Sequence, residues 1–285
     1  SEWKRAHLEN IMEKGQILLK TINQEINEAG KLISKQNRKL KKLNKELEIE
    51  KRKSDNLLLN ILPEKIAGEL KQNEKVKPIL YDSVSVLFTD FSGFTQVSEK
   101  MTPKTLIKEL DYCFSNFDKI CGKFNLEKLK TIGDSFMCAG GIPIVNKTHP
   151  VDTIMAGLEI LEFMRKRIKY KKSKKTPYWN IRIGIHTGPL IAGIIGKRKF
   201  AYDIWGDSVN IASRMESSGV INMVNISKAT RDLVSDFFSI KHRGKIETKN
   251  RGKMDMFIVK KLKPKLRDKA SEPNKEFFKL YNILQ

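Results

Sequence analysis

Hydrophobic residues recur every seven positions over the first sixty residues, in two series offset by four, and lysine, glutamate and asparagine fill the other positions. The first series comprises Leu8, Gly15, Ile22, Ala29, Gln36, Leu43, Glu50 and Leu57. The second series comprises Met12, Leu19, Ile26, Ile33, Leu40, Leu47, Ser54 and Ile61. An apolar spacing of about 3.5 residues held over this length is typical of a coiled coil. We therefore predict a parallel two-stranded coiled coil over residues 1–62, the alternative being a single solvent-exposed helix.

A proline interrupts this repeat at position 63. Because proline disfavours helical geometry in the residue before it, the first helix is predicted to end near Leu62. Pro63 itself suits the first turn of a new, short helix over residues 63–71. Lys77 and Pro78 then mark a linker, so residues 63–82 form a separate connecting segment.

From residue 83 onward, short alternating runs and amphipathic stretches replace the heptads. Strands are predicted at residues 83–89, 126–131, 135–139, 180–186, 237–242 and 254–259, with the end of another at 200–202. Helices are predicted at residues 102–124, 151–169 and 207–217. This order favours an α+β fold over residues 83–262, with helices on a mainly antiparallel sheet. Residues 263–285 form a basic tail or helix.

Composition and charge narrow the class of protein. A hydrophobic fraction of 40% is that of a globular protein, and no run of about 20 apolar residues is present to span a bilayer. The net charge is +22, yet the lysine runs are not interleaved with aromatic residues, so nucleic-acid binding is not expected. A solvated surface and contact with a nearby membrane face both remain open. Three cysteines without metal-ligand spacing indicate reduced thiols and a cytoplasmic location.

Two aspartates stand at predicted turns. Asp90 follows a buried-looking strand and precedes a glycine-containing turn, whose backbone N–H groups can bind phosphate oxygens. Asp134 lies in the hairpin-like turn after Gly133. If that hairpin lies beside the first strand, the two carboxylates meet at one sheet edge and suit Mg²⁺ or Mn²⁺. Taken singly, each aspartate can equally well cap its turn.

A third group of polar side chains lies on the predicted helix at residues 207–217. Asn210 and Arg214 are four residues apart and therefore share a helix face. That face can be ordinary surface, or it can direct an amide and a guanidinium at a ribose and a phosphate.

Four segments together resemble the successive motifs of class III adenylyl and guanylyl cyclases, in the right order over residues 83–260. They are VLFTDFSGFT, LEKLKTIGDSFMCAGG, IRIGIHTGPLIAGIIG and YDIWGDSVNIASRME. The segment LLLNILPEKIAGELK also resembles the helix that couples a signalling coiled coil to such domains. The resemblance implies a ferredoxin-like catalytic domain at residues 83–262, reached through a coupling helix and linker at 63–82.

The resemblance also implies roles for individual residues. The metal ligands would be Asp90, Asp134 and the backbone carbonyl of Phe91, holding two Mg²⁺ or Mn²⁺ ions per active site. The phosphate-binding residues would be Phe91, Ser92, Gly93, Phe94, Thr95 and Arg251. Arg251 departs from the pattern, because the usual Gly-Lys-Gly run is Asn250-Arg251-Gly252 here. Asn210 would orient the ribose, and Arg214 would stabilise charge on the α-phosphate.

Lys130 and Asp203 occupy the positions that read the purine in this family. Lys130 has only hydrogen-bond donors and ionised Asp203 has only acceptors, which complements N1 and N6 of adenine. Guanine presents the opposite pattern and would leave both side chains mismatched. Guanylyl cyclases resemble this pattern but carry an acid in place of Lys130 and usually a small residue in place of Asp203. The sequence therefore favours ATP as the substrate.

The resemblance further implies that the metal carboxylates of each site come from one chain and the purine and ribose residues from its partner. The sequence thus predicts an adenylate cyclase that makes cyclic AMP in a homodimer with two shared sites. An upstream sensor would regulate it through the coiled coil, either in the cytoplasm or as the cytosolic part of a membrane-bound receptor. The alternatives are a guanylate cyclase and an inactive cyclase-like dimerisation module. A polymerase or diguanylate cyclase palm shares a two-acid sheet edge, but the Asp134-Ser135-Phe136 run and the Asn210–Arg214 helix do not fit it.

Overall fold

The computed structural model describes residues 2–73, 75–196, 199–248 and 252–285, which form two compact units, one ending at Asn60 and one comprising Ile61–Gln285. The first unit is a single helix, α1 (Glu2–Leu59), in which no described residue is buried. Its apolar series is therefore exposed in the single chain, with Leu19, for example, 61% accessible. The helix ends at Leu59, slightly before the expected Leu62. No helix in the described ranges combines the length and hydrophobicity that a membrane crossing needs.

The second unit combines one sheet with seven α-helices among its described residues. The helices are α2 (Glu64–Asn73), α3 (Phe94–Ser98), α4 (Pro103–Lys123), α5 (His149–Ser173), α6 (Asp207–Ser217), α7 (Lys228–Val234) and α8 (Lys275–Asn282). The strands are β1 (Ile79–Ser92), β2 (Leu126–Ile132), β3 (Ser135–Gly140), β4 (Asn180–Ile195), β5 (Ala201–Trp205), β6 (Val224–Ser227), β7 (Phe238–Thr248) and β8 (Gly252–Leu262).

The strands follow the order β2-β3-β1-β4-β6-β8-β7, and β5 pairs with β4. The hairpin of β2 and β3 lies beside β1, as the two-acid hypothesis required. Among the described pairings, β4 with β6 is parallel and the others are antiparallel. The prediction of an α+β fold with helices on a mainly antiparallel sheet is confirmed.

Several elements differ from the sequence-based prediction. β1 and β4 are longer than expected, because each continues past its buried middle into half-exposed ends. The predicted helix over residues 63–71 begins at Glu64 and continues to Asn73. β6 and α7 were missed: the four residues of β6 are all buried and too short to show a period, and α7 follows directly. Ser227 caps α7 by accepting a hydrogen bond from the Thr230 N–H at 3.3 Å.

The core lies between the sheet and the two long helices α4 and α5. Phe117 and Phe136 meet edge to face there, with ring centroids 5.6 Å apart. The C-terminal segment, expected as a basic tail or helix, contributes Phe277 of α8 to the same core. The Tyr281 hydroxyl donates to Asp152 of α5 at 2.6 Å, which fastens the end of the chain to the domain.

A buried carboxylate ties α4 to α5. Glu109 accepts two hydrogen bonds from Arg167, at 2.8 and 2.7 Å, and lies 2.7 Å from the Lys171 ammonium. Burial opposes ionisation of Glu109, but the hydrogen bonds from Arg167 and Lys171 outweigh it and lower the pKa of this carboxyl. The arrangement stabilises the fold while Glu109 is ionised.

Replacing Glu109 with glutamine is expected to lower the free energy of unfolding by about 3 kcal/mol or more, because two poorly exposed cations lose their carboxylate. In the wild type this contribution is present above the ordinary pKa of 4.5 and is lost as pH falls through the lowered folded pKa. Urea unfolding followed by near-ultraviolet circular dichroism, at neutral and acidic pH, measures both effects. Glu276→Gln, which removes an exposed partner of Lys279, is the matched control and should change little. Equal losses in the two variants would contradict the prediction.

Candidate active site

The two aspartates singled out in the sequence border one cleft of about 290 Å³. Asp90 lies within β1, paired with Arg182 of β4, and not after the strand as expected. Asp134 occupies the turn between β2 and β3, and β3 is the neighbour of β1. The other residues that line the cleft are Phe91, Gly93, Phe94, Thr95 and Gln96.

Two residues that the sequence did not single out contact Asp90, and a third is linked to it through one of them. Ser135 donates a hydrogen bond to Asp90 Oδ2 at 2.9 Å, and Arg182 donates to Oδ1 at 2.8 Å. Arg182 also donates through Nε to Glu216 of α6 at 2.9 Å. Burial raises the pKa of Glu216, and the nearby Asp90 adds to this effect. Arg182 therefore bridges two carboxylates from different elements.

Asp134 is electrostatically coupled to Asp90. Burial, then the charge of Asp90, raises the pKa of Asp134, against hydrogen bonds from backbone N–H groups that include that of Phe91. Two neighbouring carboxylates that repel each other form a donor set that fits a hard divalent cation. Within the described ranges no cluster of three or more His, Cys, Asp or Glu residues could hold a metal ion. The remaining ligands would have to be a backbone carbonyl, water and phosphate, which Mg²⁺ accepts readily.

The turn after β1 presents its backbone to the cleft. The Phe91 side chain is 1% exposed and stacks on Trp179, with ring centroids 5.0 Å apart. Phe94 also packs against Trp179, at 5.5 Å. Gly93 has φ of 72°, the left-handed conformation that glycine adopts without strain. Of the five expected phosphate-binding residues at positions 91–95, Ser92 is the one that does not line the cleft.

Lys130 and Asp203 form an ion pair with each other. Lys130 lies on β2 and Asp203 on β5, where Oδ1 of Asp203 also accepts a hydrogen bond from the Ile204 N–H at 2.9 Å. The Asp203 side chain is 17% exposed and that of Lys130 is 42% exposed, so the pair is reachable from solvent. Neither residue lines the carboxylate cleft.

Asn210 and Arg214 lie on α6 and share the face opposite its packed side. The packed side carries Ala212, Met215 and Glu216, all buried. At about 100° per residue, Arg214 points roughly 160° away from Glu216. In the described part of the chain, neither Asn210 nor Arg214 makes a side-chain hydrogen bond or ion pair.

The close packing of α6 on β4 fixes the rotation of this helix about its own axis. A Cβ atom at Gly184 would collide with the backbone of Glu216. Glycine at this position lets the helix lie directly on the strand, and the Arg182–Glu216 contact holds it there. Arg251, the last of the expected phosphate-binding residues, lies outside the described residues.

The structure thus has a cleft bordered by Asp90 of β1 and Asp134 of the β2–β3 turn, and a separate Lys130–Asp203 ion pair. A family model described as the adenylate and guanylate cyclase catalytic domain matches residues 76–261. Because the match covers more than half of the chain, the protein belongs to this family of class III cyclase domains. A second family model, described as heme NO binding associated, matches residues 14–70.

Curated relatives of both purine specificities match the chain. The adenylate cyclase of Mycobacterium tuberculosis is 36% identical over 209 residues, covering 73% of this chain and 46% of that protein. The receptor-type guanylate cyclase gcy-5 of Caenorhabditis elegans is 36% identical over 224 residues, covering 75% and 19%. Human atrial natriuretic peptide receptor 2 is 37% identical over 209 residues, covering 72% and 20%. The chain spans less than half the length of each of these relatives.

Solved structures show the same fold. The guanylate cyclase domain of RhGC from Catenaria anguillulae, in complex with GTP, matches with TM-score 0.60 and 30% identity, covering 65% of this chain and all (100%) of that one. The adenylyl cyclase CyaB from P. aeruginosa matches with TM-score 0.62 and 27% identity, covering 66% and 98%. The catalytic core of a rhodopsin-guanylyl cyclase with converted specificity, in complex with ATPalphaS, matches with TM-score 0.59 and 31% identity, covering 65% and 98%.

Proposed function

We propose that this protein is an adenylate cyclase that converts ATP to 3′,5′-cyclic AMP and pyrophosphate. The observation that carries the choice of purine is the Lys130–Asp203 ion pair. When adenine binds, it replaces the contact between the two side chains: Lys130 donates a hydrogen bond to N1 of the base, and Asp203 accepts one from N6. Guanine would leave both side chains mismatched, and buried mismatches of this kind discriminate strongly. Guanylate cyclase is the second candidate, because relatives of that kind also match, and the Lys130–Asp203 pair argues against it.

The carboxylate cleft is the proposed phosphate and metal site. Asp90, Asp134 and the backbone carbonyl of Phe91 would hold two Mg²⁺ or Mn²⁺ ions. When bound, such ions neutralise phosphate charge and lower the pKa of the ribose 3′-hydroxyl. Backbone N–H groups of the turn at Gly93, which lines the cleft, bind phosphate oxygens and position the triphosphate.

The purine, ribose and transition-state residues of a site act from a second chain, so Lys130 and Asp203 come from the same partner as Asn210 and Arg214. Asn210 orients the ribose, and Arg214 stabilises the charge that develops on the α-phosphate. Both point away from the side of α6 that faces Arg182 and Asp90 of their own chain, which supports their serving a partner's cleft. A symmetric homodimer then contains two shared sites. The exposed apolar series of α1 supports the same parallel dimer, because burying it removes apolar surface from water.

Control of activity is assigned to the segment before the catalytic domain. The match of residues 14–70 to a heme-associated family and the heptads of α1 support an upstream sensor that acts through the coiled coil. A coiled coil with two packing arrangements supplies the two-state element that such a signal needs. A cytoplasmic location, including that of the cytosolic part of a membrane-bound receptor, agrees with the receptor-type relatives.

The proposal is tested by supplying the purified protein with Mn²⁺ and either ATP or GTP and measuring cyclic nucleotide by mass spectrometry. Cyclic AMP is expected from ATP, and Asp134→Ala is expected to abolish it nearly completely, because one of the two metal carboxylates is lost. Asp118→Ala, which removes an exposed carboxylate paired with Lys128, is the control and should retain turnover. Cyclic GMP as the sole product would overturn the substrate assignment. Absence of any product would favour an inactive dimerisation module.

A further inference from the structure

Each oxygen of the Asp90 carboxylate accepts a hydrogen bond from a side chain of the same chain. Ser135 Oγ lies 2.9 Å from Oδ2, and Arg182 Nη2 lies 2.8 Å from Oδ1. An ion at Asp90 needs at least one of these oxygens, since a carboxylate coordinates through its oxygen lone pairs. The serine hydroxyl is neutral and can rotate away, whereas the guanidinium carries a full charge. Arg182 is therefore the group with which a cation must compete.

The position of Arg182 is fixed by the sheet. Arg182 pairs directly with Asp90 in the β1–β4 register, so their side chains emerge side by side on one face. The guanidinium is also held through its Nε by Glu216, at 2.9 Å, and the Glu216 side chain is only 9% exposed. An arginine guanidinium keeps its proton throughout the pH range in which proteins fold. The cation is thus permanent and anchored.

We propose that Arg182 is an internal counter-ion of the carboxylate site, which competes with divalent metal ions for Asp90 while Glu216 retains the guanidinium nearby. The inference rests on the proposed assignment of Asp90 and Asp134 as the metal carboxylates. It follows that the nucleotide-free protein binds metal weakly, because the ion meets a fixed positive charge and competes with a charge-assisted hydrogen bond for the lone pairs of Asp90. Arg182 thereby delays metal binding until another anion is present to receive the guanidinium.

The experiment measures Mn²⁺ binding to the nucleotide-free protein by electron paramagnetic resonance of the free ion, so no turnover is needed. Arg182→Gln is expected to bind Mn²⁺ roughly tenfold or more tightly than wild type, because removing one nearby positive charge unmasks Asp90 beside Asp134 and Glu216. Arg182→Lys keeps the charge and is expected to stay within about threefold of wild type. Lys279→Gln removes one positive charge from the exposed Glu276 pair on α8 and should leave binding unchanged.

Two further variants separate this inference from the metal assignment on which it rests. Adding Asp90→Asn to Arg182→Gln should abolish the gain in affinity. If Asp90→Asn has no effect in either background, the metal site itself is misplaced. If Asp90→Asn weakens binding while Arg182→Gln binds Mn²⁺ no more tightly than wild type, the counter-ion role is overturned and the metal site stands. If Arg182→Gln does not fold, Arg182→Lys tests whether the positive charge is what competes with the metal. This variant keeps the charge, so an Mn²⁺ affinity more than about tenfold above that of the wild type would refute competition by charge.

Discussion

A chain with Asp134→Ala and a chain with Arg214→Ala are each expected to be nearly inactive, and their mixture is expected to recover about a quarter of wild-type turnover. In the proposed mechanism, Asp134→Ala removes a metal carboxylate. In the same proposal Arg214→Ala removes a transition-state donor, a change that typically lowers kcat roughly 100- to 1000-fold. In a mixed dimer, one site combines the intact carboxylates of one chain with the intact α6 face of the other. Half of the dimers are mixed, and each holds one complete site out of two.

The recovery depends on Arg214 serving the partner's cleft. Arg214 lies on the face of α6 opposite Glu216, and Glu216 is linked through Arg182 to Asp90 of the same chain. A cyclic AMP assay on the co-expressed chains, purified together without selection for mixed dimers, measures the effect. Selecting the mixed dimers through two different tags should raise the recovery to about half. The matched control mixes Asp134→Ala with Asp90→Ala, which damage the same half of the site and should give no recovery. Equal inactivity of both mixtures would mean that each site is built from a single chain.

The second large effect concerns the purine. Lys130→Glu combined with Asp203→Cys is expected to lower kcat/KM for ATP roughly 100-fold or more and to shift preference toward GTP, because donors and acceptors at the base are exchanged. The two side chains form an ion pair, so a single change would leave the other charge unpaired. Steady-state kinetics with both nucleotides measures the shift.

A control on the same strand separates base recognition from charge. Lys128→Glu places the same charge reversal on β2, at a lysine that pairs with Asp118 and not with Asp203. It should leave the ratio of ATP to GTP use unchanged. Undiminished preference for ATP in the double variant would show that other residues read the base.

The sequence anticipated those parts of the fold whose residues show a clear period or a clear stop. α4 begins where Thr102 and Pro103 indicated, and Thr102 accepts a hydrogen bond from the Thr105 N–H as its cap. The turn at Gly133 and Asp134 joins β2 to β3 as expected. β6 was missed because its four buried residues show no alternation. A period reports on burial of a face, and a short strand buried on both faces has none.

The chemistry of the site divides in the same way. Asp90, Asp134, Lys130, Asp203, Asn210 and Arg214 were all named from the chain, because their positions in the motifs carry roles in the family it resembles. Arg182 and Glu216 lie in the same motifs but were not named, because nothing local links them to Asp90: they are 34 positions apart, and Arg182 is 92 positions from Asp90. Only the pairing of β4 with β1 and the packing of α6 on Gly184 bring them together.

The sequence by itself determined the type and order of those elements that show a clear period or stop. It also supplied the residues proposed to hold phosphate, metal and purine, through side-chain chemistry and the family resemblance. The tertiary structure decided which strand lies next to Asp90, and therefore that Arg182 forms an ion pair with its carboxylate. It also decided that Arg214 faces away from the carboxylates of its own chain. Strand order and helix orientation depend on long-range packing, which local patterns do not encode.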